Sequence, residues 1–156
     1  DAKDIFALHP KNKYDGVLMV EVLEHIKNDQ KALKKVNQLL RSKGFLLITV
    51  PAHEKYRTPF DDCAGHVRRY TREHLKQKLE KASFEVLKSK YFGFPLLYYY
   101  YFHIYLRGAE NREKIRKKKI SIMTRIAAWF IDHLFLLDLW FPSSKGINLM
   151  IIARKK

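Results

Sequence analysis

Residues 14–51 read YDGVLMVEVLEHIKNDQKALKKVNQLLRSKGFLLITVP, and this stretch decides the fold of the chain. An apolar run from Gly16 to Val20 is typical of a strand that is buried on both faces, and a second such run extends from Phe45 to Val50. Between the two runs, apolar side chains recur at the spacing of one helix face: Ala32, Leu33, Val36, Leu39 and Leu40. The sequence therefore predicts strand, helix and strand, in that order.

Local signals mark where the helix begins and ends. Asn28 or Asp29 can cap its first turn, because their side-chain oxygens accept hydrogen bonds from the free backbone N–H groups there. Gly44 is suited to the left-handed position that ends many helices, and Pro51 stops the second strand. We expect a right-handed βαβ unit, in which the two strands run parallel.

Titratable residues begin where these two strands end. Glu21 follows the first strand, with Glu24 and His25 close behind it, and His53 follows the second strand. Ligands of open parallel sheets bind beyond the carboxyl ends of the strands. We therefore expect the functional site at this edge of the sheet.

The chain of 156 residues is strongly basic, with a net charge of +15. Such an excess favours an anionic partner, either nucleic acid or an acidic membrane surface, although a lysine-rich solvated surface explains it equally well. The single cysteine, Cys63, excludes an internal disulfide and fits a reducing cytoplasm. We interpret this thiol as inert, because no residue near it in the sequence would activate it.

Further along the chain, a polar connection over residues 52–70 leads to Thr71. This residue is a good N-cap for a helix that runs to about Ala82. A strand is expected from Phe84 to Phe92, and a last strand from Ile147 to Ala153.

Residues 93–141 differ in composition from the rest of the chain. Phe94 to Leu106 reads FPLLYYYYFHIYL, and residues 107–125 are rich in Lys and Arg. The aromatic run is too short to span a bilayer, which takes about 20 apolar residues. We expect an α-helical aromatic and basic insert, which serves either as a lid over a substrate pocket or as an element that docks on an anionic membrane face.

Six motifs follow one another in a characteristic order. They are Tyr14-Asp15-x-Val17, Glu21-Val22-Leu23-Glu24-His25-Ile26, Leu39-Leu40-x-x-x-Gly44, the Leu47-Ile48-Thr49-Val50-Pro51 strand, Gly65-His66-x-Arg68-Arg69-Tyr70-Thr71, and Pro142-x-x-x-Gly146-x-Asn148-Leu149. Together they resemble the second half of a class I S-adenosylmethionine-dependent methyltransferase, and more narrowly the branch of small-molecule and quinone methyltransferases. The resemblance implies a Rossmann-like α/β sheet, S-adenosylmethionine as cofactor, and methyl transfer to a small acceptor.

The resemblance also implies how the chain is divided. Residues 1–92 correspond to the C-terminal half of the methyltransferase domain, residues 93–141 are the insert, and residues 142–156 hold the final strand. The family's Gly-rich loop after its first strand has no counterpart in this sequence, nor has the acidic residue that ends its second strand. We therefore expect a partial copy of the fold, whose N-terminal half is missing or supplied by another chain.

Four residues are cofactor contacts if the resemblance holds. Asp1 and Ala2 fall just after the family's third strand, where an acidic residue meets the adenine amino group. Val20 and Glu21 would lie against the methionine part of the cofactor. The alternative for Val20 is a plain core position.

Two histidines, His25 and His66, are candidates for the base that takes a proton from the acceptor during methyl transfer. His66 can instead be a loop histidine bonded to the backbone. Arg68, Arg69 and Tyr70 can hold an anionic or phenolic acceptor, because a guanidinium group binds carboxylate or phosphate through two N–H groups. The alternative is that the arginines lie on the solvated start of a helix.

Glu21, Glu24 and His25 have a spacing that can gather a divalent cation on one helix face. An acidic first turn, which the helix dipole favours, explains the same residues better. We therefore expect no metal site.

Two functions of different classes fit these observations. The favoured one is an enzyme that methylates an oxygen, nitrogen or carbon atom of a small, lipid-linked or anionic acceptor, in the cytoplasm or at the inner face of a membrane. The alternative is a non-catalytic half-fold that pairs with another chain or binds nucleic acid. Charge alone supports nucleic acid, since the sequence shows neither zinc-ligand spacing nor an RNA-recognition signature, so we do not expect that partner.

Overall fold

A computed structural model describes residues 5–8, 13–93 and 146–156 of the chain. Asp1, Ala2 and the insert after Gly93 lie outside these residues. The described elements are, in chain order, β1 (Tyr14–Val20), α1 (Asp29–Leu39), β2 (Leu40–Pro51), α2 (Pro59–Ala64), α3 (Arg72–Lys81), β3 (Phe84–Phe92) and β4 (Asn148–Lys155). Short 3-10 turns occupy Ile5–Ala7, Leu23–His25 and Glu54–Tyr56. Of the described helices, none has the length and apolar character needed to cross a membrane.

The described strands form one mixed sheet in the order β1-β2-β4-β3. β1 and β2 are parallel, with Met19 opposite Ile48, and α1 connects them. β4 runs antiparallel to both of its neighbours, β2 and β3. The predicted α/β class and the predicted parallel pair are therefore confirmed.

The caps of α1 and α3 are those that the sequence predicts. The Asn28 side chain accepts a hydrogen bond from the Lys31 N–H group at 3.0 Å, and Thr71 accepts one from the His74 N–H group at 3.2 Å. These bonds satisfy donors that the first turn of a helix leaves free. They fix where each helix starts.

The predicted role of Gly44 as the end of α1 is wrong. Helix α1 ends at Leu39, and β2 begins at the next residue. The residue nearby with a left-handed backbone is Lys43, with φ of 62°. Gly44 is required for a different reason, because a Cβ atom there would lie 3.0 Å from the carbonyl oxygen of Arg41 and 3.1 Å from that of Asp15. The glycine thus allows a close approach between β1 and β2.

The hydrophobic core lies on one face of the sheet, beneath α1 and α3. Alternate strand residues enter it, as the period of two requires. Its members include Met19, Leu46, Ile48, Val50, Leu149 and Ile151 from the strands, and Ala32, Leu33, Val36, Leu75 and Leu79 from the helices.

The opposite face of the sheet is open among the described residues. Leu18 is 73% exposed, Val20 58% and Phe45 50%. The prediction that β1 is buried on both faces is therefore wrong, as is the alternative interpretation of Val20 as a core residue. A continuous apolar run does not show which of its two sets of side chains is covered, and here the described helices cover only the set that contains Met19.

Candidate active site

The carboxyl ends of β1 and β2 meet at one edge of the sheet. The Glu21 N–H group, just beyond β1, donates to the carbonyl oxygen of Thr49 at 3.0 Å. Glu21 and His53, the latter just beyond β2, have φ of 51° and 56°. Residues other than glycine seldom adopt such values, and those that do cluster at functional sites. Both strained residues therefore lie where the sequence predicts the site.

Two loops run side by side at this edge, one after β1 and one after α2. The Val67 N–H group donates to the carbonyl oxygen of Glu24 at 2.8 Å. The Arg68 guanidinium donates to the carbonyl oxygens of Ile26 and Lys27 at 3.1 and 2.8 Å. These bonds hold the Glu24–His25 turn against the segment that carries His66.

The two candidate base residues, His25 and His66, are brought together by this pairing of loops. Their ring centroids lie 4.9 Å apart in an edge-to-face arrangement. Nδ1 of His25 lies 3.2 Å from the carbonyl oxygen of Gly65, and Nδ1 of His66 lies 2.8 Å from Oδ1 of Asp61. Both partners only accept hydrogen bonds, so each Nδ1 carries a proton, and in the neutral form of each ring the lone pair is on Nε2.

Asp61 holds His66 in this orientation and is itself fully buried. It also accepts hydrogen bonds from the Arg69 guanidinium at 2.9 and 3.0 Å and from the Thr58 N–H group at 2.8 Å. Burial alone would raise the pKa of Asp61, but the hydrogen bonds from Arg69, Thr58 and His66 lower it. Asp61 is therefore ionised near neutral pH and accepts a hydrogen bond from the imidazole of His66.

Sequence reasoning missed Asp61, although a local signal for it exists. Thr58 and Asp61 form a reciprocal capping box at the start of α2, Pro59 lies in the first turn, and Gly65 ends the helix with φ of 79°. This is the pattern that marks a short helix in sequence. The contact between Asp61 and His66, in contrast, becomes visible only in the folded structure.

Glu24 lies beside the two imidazoles, with 0% of its surface exposed. Within the described part of the chain, neither of its carboxylate oxygens has a hydrogen-bond partner. Oε1 lies 3.9 Å from Nε2 of His25. Burial raises the pKa of Glu24 to about 7, and the charge of Glu21 contributes in the same direction.

The three residues thus converge on one small volume. A ligand atom from each of Glu24, His25 and His66 lies within 4.8 Å of the other two. Glu21, which the sequence grouped with Glu24 and His25, is not a member of this group.

Arg68, Arg69 and Tyr70 make contacts within the chain. The Tyr70 ring is fully buried, and its hydroxyl donates to Oδ2 of Asp29 at 2.9 Å. Arg68 forms an ion pair with the same carboxylate at 2.8 Å, and Arg69 pairs with Asp61. These contacts tie the loop to the core, and the binding of an acceptor by the three residues stays a prediction.

A family model described as a methyltransferase domain matches residues 1–89. The chain belongs to this methyltransferase domain family, and the predicted resemblance to class I S-adenosylmethionine-dependent methyltransferases is confirmed. No curated protein sequence matches the chain.

Solved structures share the fold at low sequence identity. A protein from Galdieria sulphuraria described as a sarcosine dimethylglycine methyltransferase superposes with a TM-score of 0.59 at 13% identity, covering 97% of this chain and 57% of its own. The cyclase SpnF gives 0.55 at 18%, covering 99% and 56%. Phosphoethanolamine N-methyltransferase 2 from Haemonchus contortus, in complex with S-adenosyl-L-methionine, gives 0.51 at 16%, covering 91% and 33%. The chain therefore spans less than three fifths of the length of these three proteins.

Proposed function

We propose that the protein transfers the methyl group of S-adenosylmethionine to a small acceptor that binds beside His25 and His66. The observation that carries this proposal is the meeting of the two histidines at the edge where β1 and β2 end, in a chain of the methyltransferase family. Ligands of open parallel sheets bind at that edge. A shared fold does not by itself determine the reaction, so the proposal rests on the site.

The cofactor side of the site is assigned to Val20 and Glu21. Both follow from the resemblance, which places them against the methionine part of S-adenosylmethionine. The exposure of Val20 and the left-handed backbone of Glu21 support this assignment, because both features leave the end of β1 open to a ligand. Asp1 and Ala2 stay a prediction, since they lie outside the described residues.

Methyl transfer requires that the protein position the two reactants and exclude water. The acceptor's oxygen or nitrogen atom attacks the methyl carbon in line, the bond from sulfur to that carbon breaks, and S-adenosylhomocysteine leaves. The acceptor's proton passes to Nε2 of His25 or of His66, the ring atoms that keep a lone pair. Holding the two reactants in line and excluding water supply most of the rate enhancement.

Calorimetric titration with S-adenosylhomocysteine tests the proposal. We expect the folded protein to bind one equivalent and Glu21→Ala to weaken binding at least tenfold, about 1.4 kcal/mol. Glu85→Ala is the matched control, because Glu85 is an exposed carboxylate in β3 that pairs with Arg154. Absence of binding by the folded wild-type protein would contradict the proposal.

A second candidate function is that of a non-catalytic half-fold that pairs with another chain. The open sheet face with Leu18, Val20 and Phe45 favours it, since exposed apolar patches mark interaction surfaces. The same titration separates the two functions: a module without catalysis gives no heat with S-adenosylhomocysteine. Docking of the 93–141 insert on an anionic membrane stays a prediction, which binding to anionic vesicles at low salt, lost at high salt, would support.

A further inference from the structure

We propose that Glu24, His25 and His66 form a binding site for a divalent transition-metal ion. This differs from the sequence-based expectation of no metal, and also from the Glu21, Glu24 and His25 group considered there. The third ligand comes from the loop after α2, which only the fold brings to Glu24. The proposal does not depend on methyl transfer, since it concerns binding of the ion alone.

The first argument is the buried carboxylate of Glu24. A fully buried carboxylate without hydrogen bonds is costly, so such groups in proteins are paired or hold a metal ion. Within the described residues, no Lys or Arg forms an ion pair with Glu24. A bound cation would supply the missing positive charge.

The second argument is the orientation of the two imidazoles. Histidines that bind metal through Nε2 donate Nδ1–H to a carboxylate or a backbone carbonyl, which fixes both the tautomer and the ring. His66 does so to Asp61 and His25 to Gly65. Both kinds of supporting contact are therefore formed before any ion binds.

The third argument is distance. Ligand atoms that lie about 2.0–2.2 Å from one tetrahedral zinc ion are about 3.4 Å from one another. One ligand atom from each of the three groups lies within 4.8 Å of the other two, so the side chains are already gathered and would close by about 1 Å around an ion. The His25 side chain, 42% exposed, is the least confined of the three.

The donor set selects the class of ion. Two imidazole nitrogens and one carboxylate oxygen suit Zn²⁺ and Co²⁺, whereas Mg²⁺ and Ca²⁺ prefer oxygen ligands alone. Three protein ligands leave at least one coordination position for water or another oxygen ligand. A metal-bound Nε2 has no free lone pair, so in the metal-loaded protein His25 and His66 are ligands and do not act as bases.

Titration of the chelator-treated protein with Co²⁺, followed by visible absorption, tests the proposal. We expect one ion per chain, displaced by Zn²⁺ and not by Mg²⁺. His25→Ala should weaken binding at least about 100-fold, Glu24→Gln likewise, and Asp61→Asn about 10–100-fold through the orientation of His66. His25 is partly exposed, so its variant keeps the test valid even if a variant of buried Glu24 or Asp61 does not fold.

Two control variants localise the ion. His74→Ala removes an exposed histidine on α3, and Cys63→Ser removes the exposed thiol, so both should bind Co²⁺ as the wild type does. In ¹⁵N spectra of the wild type, Zn²⁺ should shift Nε2 of His25 and His66 and leave His74 unchanged. The proposal is overturned if the folded protein binds no Co²⁺, if His25→Ala binds it normally, or if Cys63→Ser abolishes binding.

Discussion

Asp29 and Glu24 are both buried acids near the start of α1, yet their surroundings are opposite. Asp29 receives hydrogen bonds from Lys78 and Tyr70, each at 2.9 Å, and an ion pair from Arg68 at 2.8 Å. Burial alone would raise the pKa of Asp29, but these partners lower it. Glu24 has no such partners in the described chain, and burial raises its pKa to about 7.

Comparing the two acids separates a carboxylate that stabilises the fold, Asp29, from one that is available to a ligand, Glu24. The carboxylate of Asp29 joins α1 to α3 and to the loop before α3, so its burial is offset inside the fold. Within the described chain no Lys, Arg or Tyr side chain offsets the burial of Glu24, and a buried carboxylate of this kind calls for an explanation such as a ligand. Both acids are equally hidden, so partners rather than burial distinguish them.

The largest expected effect comes from Asp29→Asn. Removing one member of a buried charge network leaves the others uncompensated and costs about 3 kcal/mol of the free energy of unfolding. Urea unfolding measures this change. The matched variant is Glu24→Gln, which removes no partner and should cost less than about 1 kcal/mol in the metal-free protein. An equal loss in the two variants would contradict the comparison.

Low pH should reproduce, in the wild-type protein, much of the loss of unfolding free energy that Asp29→Asn causes. The folded pKa of Asp29 is lowered, so its contribution is complete above the ordinary value of 3.8 and is lost as the pH falls through the folded value. Unfolding free energies of the wild type and of Asp29→Asn should therefore converge as the pH falls below that ordinary value. A constant gap between the two curves would show that the Asp29 charge is not responsible.

Gly65→Ala should cost about 1–2 kcal/mol, because a side chain disfavours the left-handed backbone, here with φ of 79°. The strain falls on the loop that presents His66, so Co²⁺ affinity should fall with stability. Gly16→Ala is the control, since a Cβ atom there meets only the carbonyl oxygen of Phe45 at an ordinary 3.7 Å. Equal losses at Gly65 and Gly16 would show that the turn is not strained.

Tyr70→Phe should have the smallest effect, about 1 kcal/mol, because it removes one hydrogen bond to Asp29 and leaves the ring packed. In the Asp29→Asn background the same substitution should cost less, since the bond to the carboxylate is already lost. Thermal or urea unfolding of the four proteins measures the coupling. Tyr14→Phe, at an exposed position in β1, should change stability little.

Local sequence patterns predicted most of the architecture. The caps at Asn28 and Thr71, the parallel pair and the last strand depend on neighbouring residues, so they can be read along the chain. Gly44 was misassigned because a glycine near a helix end can serve a backbone approach as well as a left-handed turn. Which face of β1 is exposed among the described residues could not be read from its continuous apolar run, because coverage depends on distant elements.

The candidate site was predicted in part. The edge of the sheet and the residues Glu21, His25 and His66 follow from the order of strand and loop. That His25 and His66 touch, that Asp61 orients His66, and that Glu24 has no partner all depend on two loops that lie far apart in sequence. No local pattern encodes such a pairing.

The apolar surface of β1 and β2 that is exposed among the described residues, with Leu18, Val20 and Phe45, also affects how the protein behaves in solution. An outer strand with unshielded backbone groups and large apolar side chains is a template for strands of other molecules. Concentrated preparations should therefore self-associate, and light scattering should show fewer aggregates when Leu18→Lys places a charge at this surface's most accessible apolar residue. The difference in solubility between the wild type and Leu18→Lys would then measure how strongly this apolar surface promotes association.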